Sequence, residues 1–265
     1  MDNKKIYQVD AFCDQPFKGN PAGVMILETA MASGRMQNIA MEMNLAETAF
    51  VVQESDHFSI RYFTPTTEVP LCGHATLASA HILYELGLVP QNEKINFKAE
   101  GGDLTISNDA DWIQMIFPKY PLTVVEIPER FQDNVGFSPI AMYSSRDHWK
   151  IAVATSEEQI RQAQPKFSEM EAHGIGHLMI TSKSVSDDYD FVVRCFAPMS
   201  GIDEDPVTGS AHCALIPLWA ERLHKTEMTS LQCSKRTGVL EVALAENQVI
   251  IKGQAITVFE ADLRV

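Results

Sequence analysis

Glu47 is the residue in this chain best placed by sequence to move a proton. It lies in Ile39-Ala-Met-Glu-Met-Asn-Leu-Ala-Glu-Thr-Ala-Phe-Val-Val52, where a helical pattern hands over to a strand among apolar neighbours. Partial desolvation there predicts a raised carboxyl pKa, which a general acid or base working near neutral pH requires. Taken alone, such a residue is more often a helix-end carboxylate facing water. His74 follows Gly73 at the start of an apolar run and is positioned to donate to, or accept from, a ligand; a lone histidine is otherwise a structural one. Cys72, just ahead of that run, reads either as a thiol with a pKa depressed by a helix N-terminus, and so a base or nucleophile, or as a small buried apolar residue. In Asp203-Glu-Asp-Pro-Val-Thr-Gly-Ser210, Asp205 is suited to orienting a substrate amine or hydroxyl, or to starting a turn before Pro206. Asp203 and Glu204 read as solvated turn residues, and Thr208 and Ser210 as hydroxyl donors to a ligand or as caps of the helix that follows.

Gly73 and Gly209 each precede such a run, and both are expected at helix starts with their backbone N–H groups turned into a shared cleft. Helix N-termini carry unpaired amide donors and about half a positive charge, so two of them make a site for a carboxylate or phosphate without Lys or Arg. Glycine lets an anion approach the backbone closely, although either glycine alone is explained by a tight turn. Amide donors aimed at a carboxylate also stabilise the enolate-like charge that forms when a neighbouring C–H loses its proton. The implied ligand is a small carboxylate metabolite, and the implied chemistry is proton abstraction.

The elements that position these residues repeat. Arg61-Tyr-Phe-Thr-Pro65 matches Arg194-Cys-Phe-Ala-Pro198 at a shift of 133 residues, half the chain. Cys72-Gly73-His74-Ala75 lines up with Thr208-Gly209-Ser210-Ala211, and Gly102-Asp-Leu-Thr-Ile106 with Gly238-Val-Leu-Glu-Val242, both at 136, which places a three-residue insertion around Gly201-Ile-Asp-Glu. Phe58–Phe63 and Tyr189–Phe196 are β-branched and aromatic runs ended by Pro and read as strands. Ala75–Leu86, stopped by Gly87, and Ala211–Leu223 read as buried helices, the second with a kink or early break at Pro217. Strand-rich stretches follow each helix: Lys94–Lys98 and Gly102–Ile106 in the first half, Leu231–Ser234 and Val239–Leu244 in the second.

The expected fold is therefore α+β, with two pseudo-symmetric lobes, each a barrel-like, mostly antiparallel sheet around a central helix, and the site in the cleft between them. The lobes are expected at 1–118 and 119–254, with a C-terminal strand within 255–265 returning to the first.

Composition narrows the function classes. With 265 residues and 45% hydrophobic content the chain is a globular protein of one or two domains. Its net charge of -14 argues against nucleic acid as a partner. The start Met1-Asp-Asn-Lys-Lys-Ile has no apolar stretch after its lysines, and nothing approaches a membrane span, so no membrane partner and a cytoplasmic location are expected. Cys13, Cys72, Cys195, Cys213 and Cys233 are scattered and expected to be reduced. No Cys-x-x-Cys or His-Glu-x-x-His spacing supports a metal, and no glycine-rich nucleotide loop is present, so no cofactor is expected.

Asp10-Ala-Phe, Gly19-Asn-Pro-Ala-Gly-Val24, Asn44-Leu-Ala-Glu-Thr-Ala-Phe-Val51, Arg61-Tyr-Phe-Thr-Pro65, Leu71-Cys-Gly-His-Ala-Thr76 and Glu204-Asp-Pro-Val-Thr-Gly-Ser-Ala211 resemble, in order and spacing, the phenazine-biosynthesis isomerase-like family. That family is similar in fold to diaminopimelate epimerase and proline racemase. The resemblance implies cofactor-free proton transfer between carbons of a small amino or hydroxy carboxylic acid, with Glu47 as the shuttle and His74, Asp205 and Ser210 lining the site, and a possible homodimer. Two alternatives remain at this point. One is an amino-acid epimerase or racemase using Cys72, whose repeat mate is Thr208 and for which Cys213 lies too far into its helix to serve as the opposing base. The other is a non-catalytic protein that binds small carboxylates.

Overall fold

The computed structural model describes residues 4–146 and 149–264. Met1–Asn3, part of the segment in which no leader was read, and Val265, the last residue of the expected returning strand, lie outside the described residues. The chain forms two compact units, one from the chain up to Ile116 together with the chain from Lys252 onward, the other Phe117–Ile251.

The first unit runs β1 (Lys4–Ala11), β2 (Asn20–Leu27), α1 (Ser33–Met43), β3 (Glu47–Gln53), β4 (Phe58–Phe63), β5 (Glu68–Val69), α2 (Gly73–Glu85), β6 (Ile95–Ala99), β7 (Gly102–Asp109) and β8 (Trp112–Pro118). The second runs β9 (Thr123–Val124), α3 (Phe131–Val135), β10 (Ala141–Ser144), β11 (Lys150–Val153), α4 (Glu157–Gln162), α5 (Phe167–Met170), β12 (Leu178–Lys183), β13 (Phe191–Ala197), a 3-10 turn at Pro198–Ser200, β14 (Ile202–Asp205), α6 (His212–Leu223), β15 (Glu227–Gln232), β16 (Gly238–Leu244) and β17 (Gln248–Gly253). The final strand, β18 (Ala255–Leu263), lies antiparallel to β1.

Strand pairing repeats between the units. In the first, β2 is parallel to β3, β3 antiparallel to β4, β4 antiparallel to β5 and parallel to β6, and β6 antiparallel to β7. In the second, β11 is parallel to β12, β12 antiparallel to β13, β13 antiparallel to β14 and parallel to β15, and β15 antiparallel to β16. The parallel pairs are bridged by α1 or α4 and by α2 or α6, so a helix crosses over wherever a parallel connection demands one. The matched arginines do the same job twice. Arg61 makes a bidentate pair with Glu68 and lies over Phe63, and Arg194 makes one with Glu204 and lies over Phe196. The partner is seven residues on in the first unit and ten in the second, which accounts for the three-residue insertion. Glu204 is thus a structural ion-pair partner, correcting its reading as a solvated turn residue; Asp203 is exposed.

Helix α2 is buried along most of its length and packs on β1, β2, β3 and β18. It ends where Gly87 takes a left-handed conformation (φ +67°), so that the Gly87 N–H reaches Tyr84 O and the Leu88 N–H reaches Leu83 O. Helix α6 is tied to its own sheet by Trp219, which donates to Thr181 and stacks on Phe191, and by His212, whose Nε2 meets Ser230 Oγ at 2.8 Å. Two expectations for α6 need correction. It starts at His212, with Gly209–Ala211 forming a tighter turn ahead of it, so Gly209 is not a first-turn residue as Gly73 is. It also runs unbroken through Pro217, because the carbonyl that Pro217 leaves without an N–H, Cys213 O, accepts the Tyr120 N–H at 2.9 Å. All five cysteines are free thiols.

Candidate active site

Three side chains of the first unit meet at the start of α2. Glu47 is the first residue of β3, delivered there by Asn44, whose left-handed conformation (φ 50°) ends α1. Cys72 is the N-cap residue of α2, and His74 is its second residue. Glu47 Oε2 lies 3.2 Å from His74 Nε2, with side-chain exposures of 16% and 9%. His74 Nδ1 faces Cys72 Sγ at 3.4 Å and the side-chain amide of Asn20 at 3.4 Å.

The surrounding elements fix this arrangement locally. Thr76 Oγ1 donates to Cys72 O at 2.7 Å and meets the buried Tyr62 hydroxyl at 2.6 Å, which anchors the first turn of α2 to β4. Leading into Cys72, β5 is clamped by the Arg61–Glu68 pair, and Pro70 O accepts the Gly101 N–H at 2.8 Å. Gly101 is required there, since a Cβ would lie 2.9 Å from both Pro70 O and Leu71 Cβ. Across the sheet, Gly23 faces Thr48 in register, and a Cβ on it would lie 2.8 Å from Thr48 Oγ1, so β2 and β3 approach closely beside Glu47.

The electrostatics reverse one expectation. Burial alone would raise the Glu47 carboxyl, but its hydrogen bond to His74 and the imidazolium charge hold it below its ordinary value. Burial likewise disfavours a charged His74, yet the neighbouring sulfur and the Glu47 carboxylate hold it well above its ordinary value. Both shifts favour the carboxylate–imidazolium form of the pair. For Cys72, burial and then the Glu47 charge push the thiol up, the opposite of the depression expected from its helix N-terminus. It rests as a neutral thiol, which corrects the reading of Cys72 as a resting thiolate.

Gly73 and His74 donate their backbone N–H groups to no acceptor among the described residues, as the first turn of a helix requires. In the second unit, Thr208 Oγ1 donates to Asp205 Oδ2 at 2.6 Å, and Gln232 accepts the Thr208 N–H and donates to Asp205 O. Thr208 therefore holds Asp205 rather than capping α6, whose cap position is Ala211, while Ser210 is exposed beside Gly209. Strand register makes the duplication asymmetric at its chemistry. Thr48 pairs with Phe63 and Leu178 with Phe196, the matched phenylalanines, so His177 stands where Glu47 does in the first unit.

Asn20 is the site residue the sequence reading missed. Its signal was present in Gly19-Asn-Pro-Ala-Gly-Val24, where Gly19 takes a positive φ and packs so tightly that a Cβ would strike Ala11 O at 2.2 Å. That packing feeds Asn20 into β2 directly opposite Ala11 and beside His74. The grouping of Glu47, Cys72 and His74, whose ligand-type atoms all lie within 4.8 Å of one another, was invisible to motif spacing because Glu47 arrives from a different strand.

A sheet-rich chain built from a duplicated β-α-β pattern, with a carboxylate and a histidine paired at a buried helix start, has an epimerase-like fold. Residues 9–261 match the family described as phenazine biosynthesis-like protein, and the chain belongs to that family. It is 46% identical, across 99% of each sequence, to an uncharacterized isomerase of Halalkalibacterium halodurans. Among solved structures it is similar to a phenazine biosynthesis protein of the PhzF family from Enterococcus faecalis, with TM-score 0.95, 37% identity and coverage of 99% of this chain and 100% of that one. A predicted epimerase of Pseudomonas aeruginosa shares the fold, with TM-score 0.78 at 18% identity over 99% of both chains. Among the described residues, no helix is long and apolar enough to cross a membrane.

Proposed function

We propose that the chain is a cofactor-independent isomerase that moves a proton between two carbons of a small amino or hydroxy carboxylic acid, with Glu47 carrying the proton. The observation that supports this most strongly is the buried contact of 3.2 Å between Glu47 Oε2 and His74 Nε2 at the start of α2. The substrate carboxylate binds at the Gly73 and His74 amides, where the positive end of the 13-residue α2 favours an anion. Glu47, ionised at rest, takes the proton from the activated C–H and becomes neutral. The His74 imidazolium then faces the developing enolate-type charge and stabilises it. Glu47 returns the same proton to the second carbon and is a carboxylate again, so no proton is gained or lost overall.

A resting Cys72 thiol with a raised pKa gives little support to an epimerase in which that sulfur is the base. Asp205, Ser210 and Gly209 belong to the second unit, and their role as substrate contacts is proposed from the family resemblance alone.

The test is proton NMR of a small-metabolite extract in deuterated water with wild-type protein, Glu47→Gln and Cys72→Ser. Loss or shift of a carboxylic acid's C–H signal with wild type and Cys72→Ser, but not with Glu47→Gln, is the expected result. Equal exchange by Glu47→Gln would refute the mechanism, and exchange abolished only by Cys72→Ser would move the base to sulfur.

A further inference from the structure

The Glu47, Cys72 and His74 side chains offer one oxygen, one sulfur and one nitrogen donor within a sphere small enough for a single ion. Tetrahedral zinc, with metal–ligand bonds of about 2.0–2.3 Å, separates neighbouring N and O ligands by about 3.4 Å and N and S ligands by about 3.6 Å. In this cluster Glu47 Oε2 and His74 Nε2 are 3.2 Å apart, and Cys72 Sγ and His74 Nε2 are 3.9 Å apart. Both lie within a few tenths of an ångström of the zinc geometry. The remaining oxygen-to-sulfur separation is at most 4.8 Å.

We infer that this cluster is a binding site for a borderline divalent cation of the zinc type, which would occupy the proton-transfer site and block it. Three protein ligands of mixed O, N and S character with a fourth position open is the donor set of an accessible zinc centre, and it disfavours Mg²⁺ and Ca²⁺, which take all-oxygen shells. Binding is an exchange: the ion displaces the proton on His74 Nε2 and the thiol proton of Cys72, both of which leave to solvent, and forms bonds to nitrogen, sulfur and a Glu47 oxygen. Inhibition follows only if Glu47 is the base, so that part rests on the proposed function; the binding itself does not.

The experiment is titration of the reduced protein with Co²⁺ alone in a buffer free of thiols and chelators, followed by Zn²⁺ addition. Cobalt bound to a thiolate gives a near-ultraviolet charge-transfer band and intense visible bands in a tetrahedral site. The expected result is one equivalent of Co²⁺ developing both in the wild type, with Zn²⁺ displacing it. Both should be missing in Cys72→Ser, the visible bands should be weakened in His74→Ala, and Cys213→Ser, elsewhere in the chain, should behave as wild type. No thiolate band in the wild type, or a band that persists in Cys72→Ser, would overturn the site. Circular dichroism of each variant separates loss of the ion from loss of the fold. Because the readout is the ion's own spectrum, a bound ion without any isomerase turnover refutes the proposed function and leaves the site standing, whereas turnover without a band does the reverse.

Discussion

Replacing Gly23 by alanine tests how β2 and β3 hold Glu47. The new Cβ would lie 2.8 Å from Thr48 Oγ1, 3.0 Å from Thr48 Cγ2 and 3.3 Å from Thr48 Cβ. Thr48 is fully buried, and its hydroxyl has no partner among the described residues, so it has neither room to turn nor a bond that fixes it. Relief therefore requires β3 to move away by a few tenths of an ångström, and Glu47, the residue before Thr48, moves with it. Overpacking of this kind costs about 1–3 kcal/mol. Thr48→Ala alone loses a buried methyl, about 0.8 kcal/mol, and also removes a buried hydroxyl whose burial is itself unfavourable by about 1–3 kcal/mol, so it should lie near wild type. In Gly23→Ala/Thr48→Ala only the contact at 3.3 Å remains. The double variant should then recover most of the stability lost by Gly23→Ala, with a coupling of about 1–2 kcal/mol. Urea midpoints at constant m-value measure this, and turnover on the substrate should follow the same order, with Gly23→Ala losing up to about a hundredfold through misplacement of Glu47. Single-variant effects that simply add, within about 0.5 kcal/mol, would refute the reasoning.

The duplicated arginines should not cost the same. Arg61→Lys removes a bidentate pair whose side chains are 40% and 31% exposed and should cost no more than about 1 kcal/mol, while Arg194→Lys, with exposures of 14% and 22%, should cost clearly more, as thermal unfolding will show. Glu157 supplies a pH dependence. Burial alone would raise its carboxyl, but the Val185 N–H, Arg161 and Ser184 outweigh burial and hold it below its ordinary value. Its contribution is therefore complete above the unfolded-state pKa of about 4.3 and is lost as pH falls through the lower folded value, so the stability gap between wild type and Glu157→Gln should narrow from pH 6 to pH 3 in urea unfolding; a constant gap would refute the assignment.

Much of this fold was legible because a duplication leaves pairs to compare. Arg61 and Arg194, each ahead of a Phe and a Pro, marked equivalent strands, and the change in shift from 133 to 136 marked the insertion that the two Arg–Glu spacings explain. The same pairing misled at Gly209: it aligns with Gly73, yet the turn formed by His212, Cys213 and Ala214 with Gly209, Ser210 and Ala211 delays the start of α6. Glu47 could be recognised from its helix-to-strand setting, but the sign of its pKa shift could not. That sign is set by His74, which reaches it only through the register of β3 against β2 and the packing of α2 on both. The raised Cys72 pKa comes first from burial, which its reading as a small buried residue contained, and then from the Glu47 charge, which arrives from another strand. Pro217 was read as a kink or early break because a sequence does not show that the Tyr120 N–H will reach the carbonyl it strands.

Once a substrate is in hand, the decisive measurement is the fate of deuterium placed on its reacting carbon during turnover in ordinary water. A single carboxylate that lifts and returns one proton predicts product from the wild type carrying part of that deuterium on the receiving carbon, and no product from Glu47→Gln. Product formed by Glu47→Gln at the wild-type rate would contradict Glu47 as the proton carrier.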